Sequence, residues 1–230
     1  MVAPLRLTMF VDVDNTLIDN DAVKTEMNRR LAKVVGADGA RQFWALYEDV
    51  RRESGVVGIP SALARFEAEN EPGTADPGHK VALAAVFMEF PFREYLFPEV
   101  LATLAHLRSL GRVAILSDGD TVFQPLKIGR SGLAAAVDQD VLVYPHKEAH
   151  CGELEAMFPA DRYVLIDDKL GVIHRFRKQF TGPLTTVFVR QGSYAAAAGP
   201  PPWPGADIVV ERIGDLRGFD VATFIDAGRD

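Results

Sequence analysis

Short, nearly unbroken apolar runs punctuate this chain at intervals. Met9-Phe10-Val11 comes first, and Arg112–Leu116, Val141–Tyr144, Tyr163–Ile166, Thr185–Val189 and Ile208–Val210 follow. Runs without polar alternation predict strands covered on both faces, as in a parallel sheet. Helical spacing lies between them. Val100, Leu101, Leu104, Leu107 and Leu110 form one apolar face, opened by Pro98-Glu99 and ended by Gly111. Leu170, Ile173, Phe176 and Phe180 form another, stopped by Gly182-Pro183. Strand and helix alternate, which predicts a doubly wound α/β sheet.

The stretch from about Asn20 to Pro91 breaks the alternation. It holds no strand-like run, and helical patterns cover Ala22–Val35, Arg41–Arg52, Ser61–Glu69 and Lys80–Phe90. Glu71-Pro72-Gly73 and Asp76-Pro77-Gly78 read as breaks between them. The expected division is therefore a core of residues 1–19 and 92–230, with a helical insertion at 20–91. Near the end, Ala195–Ala198 and the Pro-rich run Gly199–Gly205 predict an extended loop.

Composition narrows the class. The 230 residues are 48% hydrophobic and 25% charged, as in an ordinary globular protein. No apolar stretch is long enough to span a bilayer, and Arg6 interrupts what would otherwise resemble a signal core. A net charge of −7 without a clustered Lys/Arg stripe argues against nucleic-acid binding. The lone Cys151 has no disulfide partner within the chain, so a reducing, cytoplasmic setting is expected.

The chemistry concentrates where the strands end. Asp12 and Asp14 follow the first run, Ser117-Asp118-Gly119 the second, and Asp167-Asp168 the fourth, while Lys147 comes after the third. Open α/β sheets gather such residues along one edge. Grouped carboxylates are costly unless a positive charge neutralises them, and Mg²⁺ does so with oxygen ligands. A hydroxyl, backbone N–H groups and a lysine can then hold a phosphate. The lysine has two rivals, Lys127 and Lys169.

The order DVDNT, ILSDG, a lone lysine, then VLIDD resembles the four motifs of the haloacid dehalogenase (HAD) superfamily. The helical insertion sits where many members carry a cap. The resemblance implies a Rossmann-like parallel-sheet core with an inserted α-helical cap. It also implies a Mg²⁺-dependent phosphatase acting on a small phosphomonoester through an aspartyl-phosphate. Asp12 matches the nucleophile, and Asp14 the acid that protonates the leaving oxygen and then activates water. Ser117 matches the phosphate-binding hydroxyl, with the N–H groups of Asp118 and Gly119 beside it. Lys147 matches the lysine that screens Asp12 and the phosphate. Asp12, the backbone carbonyl of Asp14, Asp167 and Asp168 match the metal ligands, with Asp167 the first choice of the last two.

Two positions depart from the pattern. Asn15 stands where glycine is frequent, and Ile166 where a glycine commonly precedes the first acid of the fourth motif. The superfamily's true dehalogenases attack carbon without Mg²⁺ and generally lack the second acid of the first motif, so Asp14 favours phosphate chemistry. Its phosphonate-cleaving members need a Schiff-base lysine in the cap, and nothing marks Lys24, Lys33 or Lys80 for that role. A phosphomutase or phosphotransferase, and a non-catalytic binding protein, remain the alternatives.

Other clusters have plainer readings. His146, His150 and Cys151 hint at zinc, but no second ligand pair accompanies them. Phe43, Trp44 and Tyr47 read as core of the insertion, and Arg51, Arg52 and Arg65 as a solvated helix face. Gln191–Tyr194 follows a strand end without an evident role. Neither GxGxxG nor a Walker loop is present, which disfavours a nucleotide-cofactor domain.

Overall fold

Each apolar run folds as a strand. These are β1 (Leu7–Val11), β2 (Arg112–Asp118), β3 (Val141–Tyr144), β4 (Arg162–Asp167), β5 (Leu184–Val189) and β6 (Ile208–Val210). The computed structural model describes residues 5–55, 58–70, 77–197, 199 and 205–228. The six strands form one parallel sheet in the order β3-β2-β1-β4-β5-β6. Successive residues face opposite sides, so each strand but the edge strand β6, whose Val209 is exposed, feeds two cores. Met9 and Val11 pack with Ile115, Val164, Ile166 and Val187 on one side. Phe10 packs with Leu116, Leu165 and Phe188 on the other. That two-sided burial is why the runs lack polar alternation.

The sheet's direction of growth reverses around β1, with β2 on one side and β4 on the other. Val11 pairs with Ile115 and with Ile166, which brings the carboxyl ends of these three strands level. The backbone N–H of Asp12 still donates to the Ile166 carbonyl at 2.9 Å, so Asp12 and Asp167 emerge side by side. Such a reversal opens a crevice at the strand ends.

Three helices, α1 (Asn20–Ser54), α2 (Ile59–Asn70) and α3 (Pro77–Met88), follow β1 before α4 (Val100–Leu110) returns the chain to β2. Then α5 (Phe123–Ser131) and α6 (Leu133–Ala136) lead to β3, and α7 (Cys151–Met157) to β4. α8 (Leu170–Gln179) leads to β5, α9 (Gly192–Ala197) towards β6, and α10 (Val221–Ala227) comes last. The inserted helices share an aromatic core. The Phe43 ring lies 5.0 Å from Phe87 and 6.0 Å from Phe66. Phe87 and Phe92 both reach Phe123 of α5, at 6.4 and 5.8 Å, which couples the insertion to the helix beside the crevice.

Some expectations shift. The two helices expected before and after residue 36 run on as α1, broken only at Gly36, whose φ of 76° and ψ of 168° are not helical. Glycine takes that conformation without a Cβ penalty, so the break falls there. α2 begins two residues before Ser61, with Pro60 in its first turn, where its missing N–H costs nothing. Ala195–Ala197 belong to α9 rather than to an extended loop: alanine favours helix, and the disruptive prolines lie further on. The Glu71-Pro72-Gly73 break, Asp76, Ala198 and residues 200–204 of the Pro-rich run lie outside the described residues. Among the described residues, no helix is long and apolar enough to cross a membrane.

Candidate active site

Asp12 follows β1 at the strand ends, 2% exposed. The short 3-10 turn Lys147–His150 after β3 delivers Lys147 to it. The Lys147 ammonium is 2.6 Å from Asp12 Oδ1 and 2.6 Å from Asp167 Oδ2. It also donates to the Leu116 carbonyl at 3.3 Å. The Lys147 backbone N–H donates to Asp118 Oδ1 at 2.8 Å, which fixes the turn against β2. Burial alone would strip the lysine of its proton, but Asp12, Asp167 and Asp118 outweigh it and hold the ammonium well above its usual range. Burial pushes the Asp12 carboxyl up; Lys147 opposes that push and Asp167 adds to it.

Asp167 and Asp168 complete an acidic group with Asp12, their ligand oxygens all within 4.8 Å of one another. They are not equally engaged. Asp167 Oδ1 accepts the Lys169 N–H at 2.8 Å, and its Oδ2 faces Lys147. Both oxygens of Asp168 are buried without a hydrogen-bond partner. Burial, then Asp167 and Asp12, push the Asp168 carboxyl up to about 9. A buried carboxyl left so is short of positive charge.

Asp14 turns the other way, towards α5. Its Oδ1 forms an ion pair with Lys127, whose ammonium also donates to Asn20 Oδ1 at 2.8 Å. Gln124, one turn earlier on α5, donates to Asp14 Oδ2 at 3.4 Å and to Ser117 Oγ at 2.8 Å. Burial would raise the Asp14 carboxyl, but Lys127 outweighs it and holds the group below its usual range. The turn between Asp14 and the insertion depends on Asn15, whose φ of 63° is left-handed. Glycine is at ease there and asparagine tolerates it, so the departure at Asn15 preserves the turn. Its side-chain oxygen accepts the Asn20 N–H at 2.9 Å. Gly192 packs onto this turn: a Cβ there would lie 2.4 Å from the Asn15 side chain.

Asp12, Asp14, Ser117, Asp118, Lys147, Asp167 and Asp168 therefore meet at one edge of the sheet. Gly119 is the correction. Its N–H, expected to face a phosphate, donates to the Tyr144 carbonyl at 2.9 Å, because the chain still follows β3 at that point. Its lack of a side chain serves packing instead, since a Cβ would sit 2.9 Å from Gln124.

A cavity of about 290 Å³ opens beside this edge, lined by Asp14 and Asp118 at the strand ends and by residues of α1, α5 and α8. Phe43 and Tyr47 are buried in the core as expected, with Trp44 packed against them, and Trp44 and Tyr47 also line the cavity. Arg51, Arg52 and Arg65 lie on exposed helix faces as expected, paired with Glu48, Asp49 and Glu53, and Arg51 also lines the cavity. Tyr194 enters from α9, which is tied to the insertion by Ser193: its N–H and hydroxyl donate to Asp21 at 2.7 and 2.9 Å. Among the described residues the zinc hint finds no support. His150 stacks on Tyr144 and pairs with Glu153 at 3.0 Å, and the buried Cys151 thiol donates to the Glu148 carbonyl at 3.3 Å.

The model of haloacid dehalogenase-like hydrolases matches residues 7–171, from β1 to the start of α8. This chain belongs to that family. A haloacid dehalogenase-like hydrolase from Burkholderia xenovorans LB400 is 37% identical, with a TM-score of 0.83 over 95% of this chain and 100% of its own. The magnesium-bound HAD-hydrolase YfnB from Bacillus subtilis is 15% identical, with a TM-score of 0.60 over 92% of this chain and 97% of its own. The L-2-haloacid dehalogenase of Xanthobacter autotrophicus is 16% identical, with a TM-score of 0.58 over 93% and 97%. The last two likenesses speak for the fold alone. No curated protein matches the chain. The HAD-like hydrolase frame accounts for the acids at the strand ends; the residues that α5 brings to them, Gln124 and Lys127, lie outside its motifs.

Proposed function

We propose that this HAD-like hydrolase is a Mg²⁺-dependent phosphatase of small phosphomonoesters, with Asp12 as nucleophile. The observation that carries the proposal is Asp168. Its two oxygens are buried without partners, beside two further carboxylates. Hard oxygen donors in that arrangement fit a hard divalent cation. Asp12, Asp168, Asp167 and the Asp14 carbonyl would hold it, with Asp168 preferred over Asp167 because its oxygens are uncommitted. When bound, Mg²⁺ supplies charge neutralisation for the phosphoryl oxygens. Dehalogenation at carbon needs a nucleophile and a base to activate water, but no cation site of this kind.

The chain's own groups divide the remaining work. Lys147 holds the Asp12 carboxylate in place and offsets the charge of the incoming phosphate. Ser117 presents its hydroxyl to a phosphoryl oxygen. An Asp12 oxygen attacks phosphorus as the ester P–O bond breaks, and the leaving oxygen takes a proton that Asp14, held ionised by Lys127 in the free protein, acquires when the negative charge of the phosphate enters beside it. In the second half Asp14 takes a proton from water, whose oxygen bonds to phosphorus as the Asp12–phosphorus bond breaks. The helices of residues 20–91 act as a cap that excludes bulk water from the cavity. A small phosphorylated metabolite suits a cavity of about 290 Å³. The buried thiol of Cys151 fits a reducing, cytoplasmic setting.

A panel of phosphate esters incubated with Mg²⁺ tests the proposal. Free phosphate is released by the wild type and not by Asp12→Asn. Transfer to an added sugar instead of water would replace hydrolysis by phosphotransfer. Folded, Mg²⁺-bound protein that turns over no ester would point to a binding protein.

A further inference from the structure

The motifs leave α5 without a task, yet it places two buried polar side chains, Gln124 and Lys127, against the site. The Lys127 side chain is 4% exposed. An ammonium that deep is unfavourable unless a carboxylate meets it, and Asp14 does. Its remaining side-chain partner is Asn20 Oδ1, at the start of α1. Gln124 ties Asp14 to the phosphate-side hydroxyl of Ser117 through one amide. Asp14 is two residues from Asp12, so without these ties its carboxylate is free to turn towards the acidic group and its cation. It would then be a further ligand and lost to the leaving group.

We infer that Lys127 is the positioning residue for proton transfer: with Gln124 it holds the Asp14 carboxylate on the cavity side, in register with Ser117. This rests on the phosphatase proposal, because it assigns Asp14 the proton of the leaving oxygen. One helix then sets both ends of the transferring group, the phosphoryl anchor through Gln124 and the acid through Lys127.

Leaving-group dependence tests it. An alkyl phosphate such as glycerol phosphate expels a basic alkoxide that needs a proton, whereas p-nitrophenyl phosphate expels a stable phenolate. Lys127→Met should lower kcat/KM on the alkyl ester by about 10²-fold, within the range of general acid catalysis, and on p-nitrophenyl phosphate by less than about fivefold. Lys127→Arg, which can still reach a carboxylate, should recover at least about tenfold of the alkyl-ester loss. Equal losses on the two esters, or no loss on either, overturn the proposal.

Melting temperatures read the pair without reference to activity. Asp14→Asn strands the buried Lys127 ammonium, so the double variant Asp14→Asn/Lys127→Met should melt higher than Asp14→Asn alone. Simple addition of the two losses would contradict the pairing. A wild type silent on every ester refutes the phosphatase proposal by itself, and the melting temperatures then still decide whether Lys127 holds Asp14.

Discussion

Two lysine–aspartate pairs stand two residues apart at the end of β1, and solvent treats them differently. In the Lys147–Asp12 pair the side chains are 1% and 2% exposed; in the Lys127–Asp14 pair they are 4% and 24% exposed. The sealed pair is also shared. Lys147 answers to Asp12 and Asp167 together, with Asp168 close behind and half-buried Lys169 as the other nearby cation. The pair at the cavity is one-to-one. The carboxyl pKa values follow this difference: burial keeps Asp12 raised despite its lysine, while Lys127 brings Asp14 down. An excess of carboxylates in a dry place calls for a cation. A balanced pair at the cavity wall leaves a carboxylate where a substrate can reach it.

The largest expected effect comes from the sealed pair. Asp12→Asn keeps the shape but removes the nucleophile, and phosphate release should fall by at least about 10³-fold, measured by steady-state phosphate assay. Activity within tenfold of the wild type would break the division of labour between Asp12 and Asp14. Lys147→Met leaves buried carboxylates without their cation and should cost about 3–5 kcal/mol in urea unfolding. A cost below about 1 kcal/mol, the scale of a surface ion pair, would mean that the pair is not sealed.

Mg²⁺ sharpens the same contrast. At 100 times its dissociation constant the ion should stabilise the protein by about 2.7 kcal/mol, seen as a higher melting temperature that EDTA reverses. Asp168→Asn should abolish that shift and Lys127→Met should keep it. The smallest effect belongs to Cys151, on the opposite face of the sheet. Burial pushes its thiol up to about 11, so little thiolate exists near pH 8. Iodoacetamide should alkylate the unfolded chain and spare the native one. Cys151→Ala should change kcat/KM by less than about twofold, as expected of a small core residue that does not itself line the cavity. Rapid native alkylation would show that this face opens.

Much of this contrast was legible in the chain itself, and the reason is physical. The strands are buried on both sides, so Met9-Phe10-Val11 and Tyr163–Ile166 carry no polar residue until the strand ends, and Asp12 and Asp167 are conspicuous there. Lys147 follows a strand end in the same way. Lys127 and Gln124 reach the site by another route. They lie inside α5, where the rotation of the helix decides what faces the crevice, and they sit among Leu126, Ile128 and Gly129 without a strand-end context. Lys127 was visible as a rival to Lys147; its partner was not. The amide of Gly119 was misassigned because sequence does not tell where β2 lets go of β3. Trp44, Tyr47 and Arg51 fall on one side of α1 at intervals of three and four residues, a spacing that equally suits a buried face. Sequence order puts Asp167 ahead of Asp168 at the end of the apolar run, but it cannot tell which carboxylate oxygens lack hydrogen-bond partners; those are both oxygens of Asp168 and Oδ2 of Asp167.

Heavy-oxygen water tests the central claim most directly. In phosphate transfer through Asp12, water attacks phosphorus, so turnover of a phosphate ester in H₂¹⁸O should place the label in the released phosphate. The Asp12 peptide should stay unlabelled, whether a phosphate ester or a 2-haloacid is supplied. In dehalogenation, water attacks the carboxyl carbon of the ester formed on the aspartate. An Asp12 peptide that gains mass with the haloacid, and no labelled phosphate from any ester, would contradict the account.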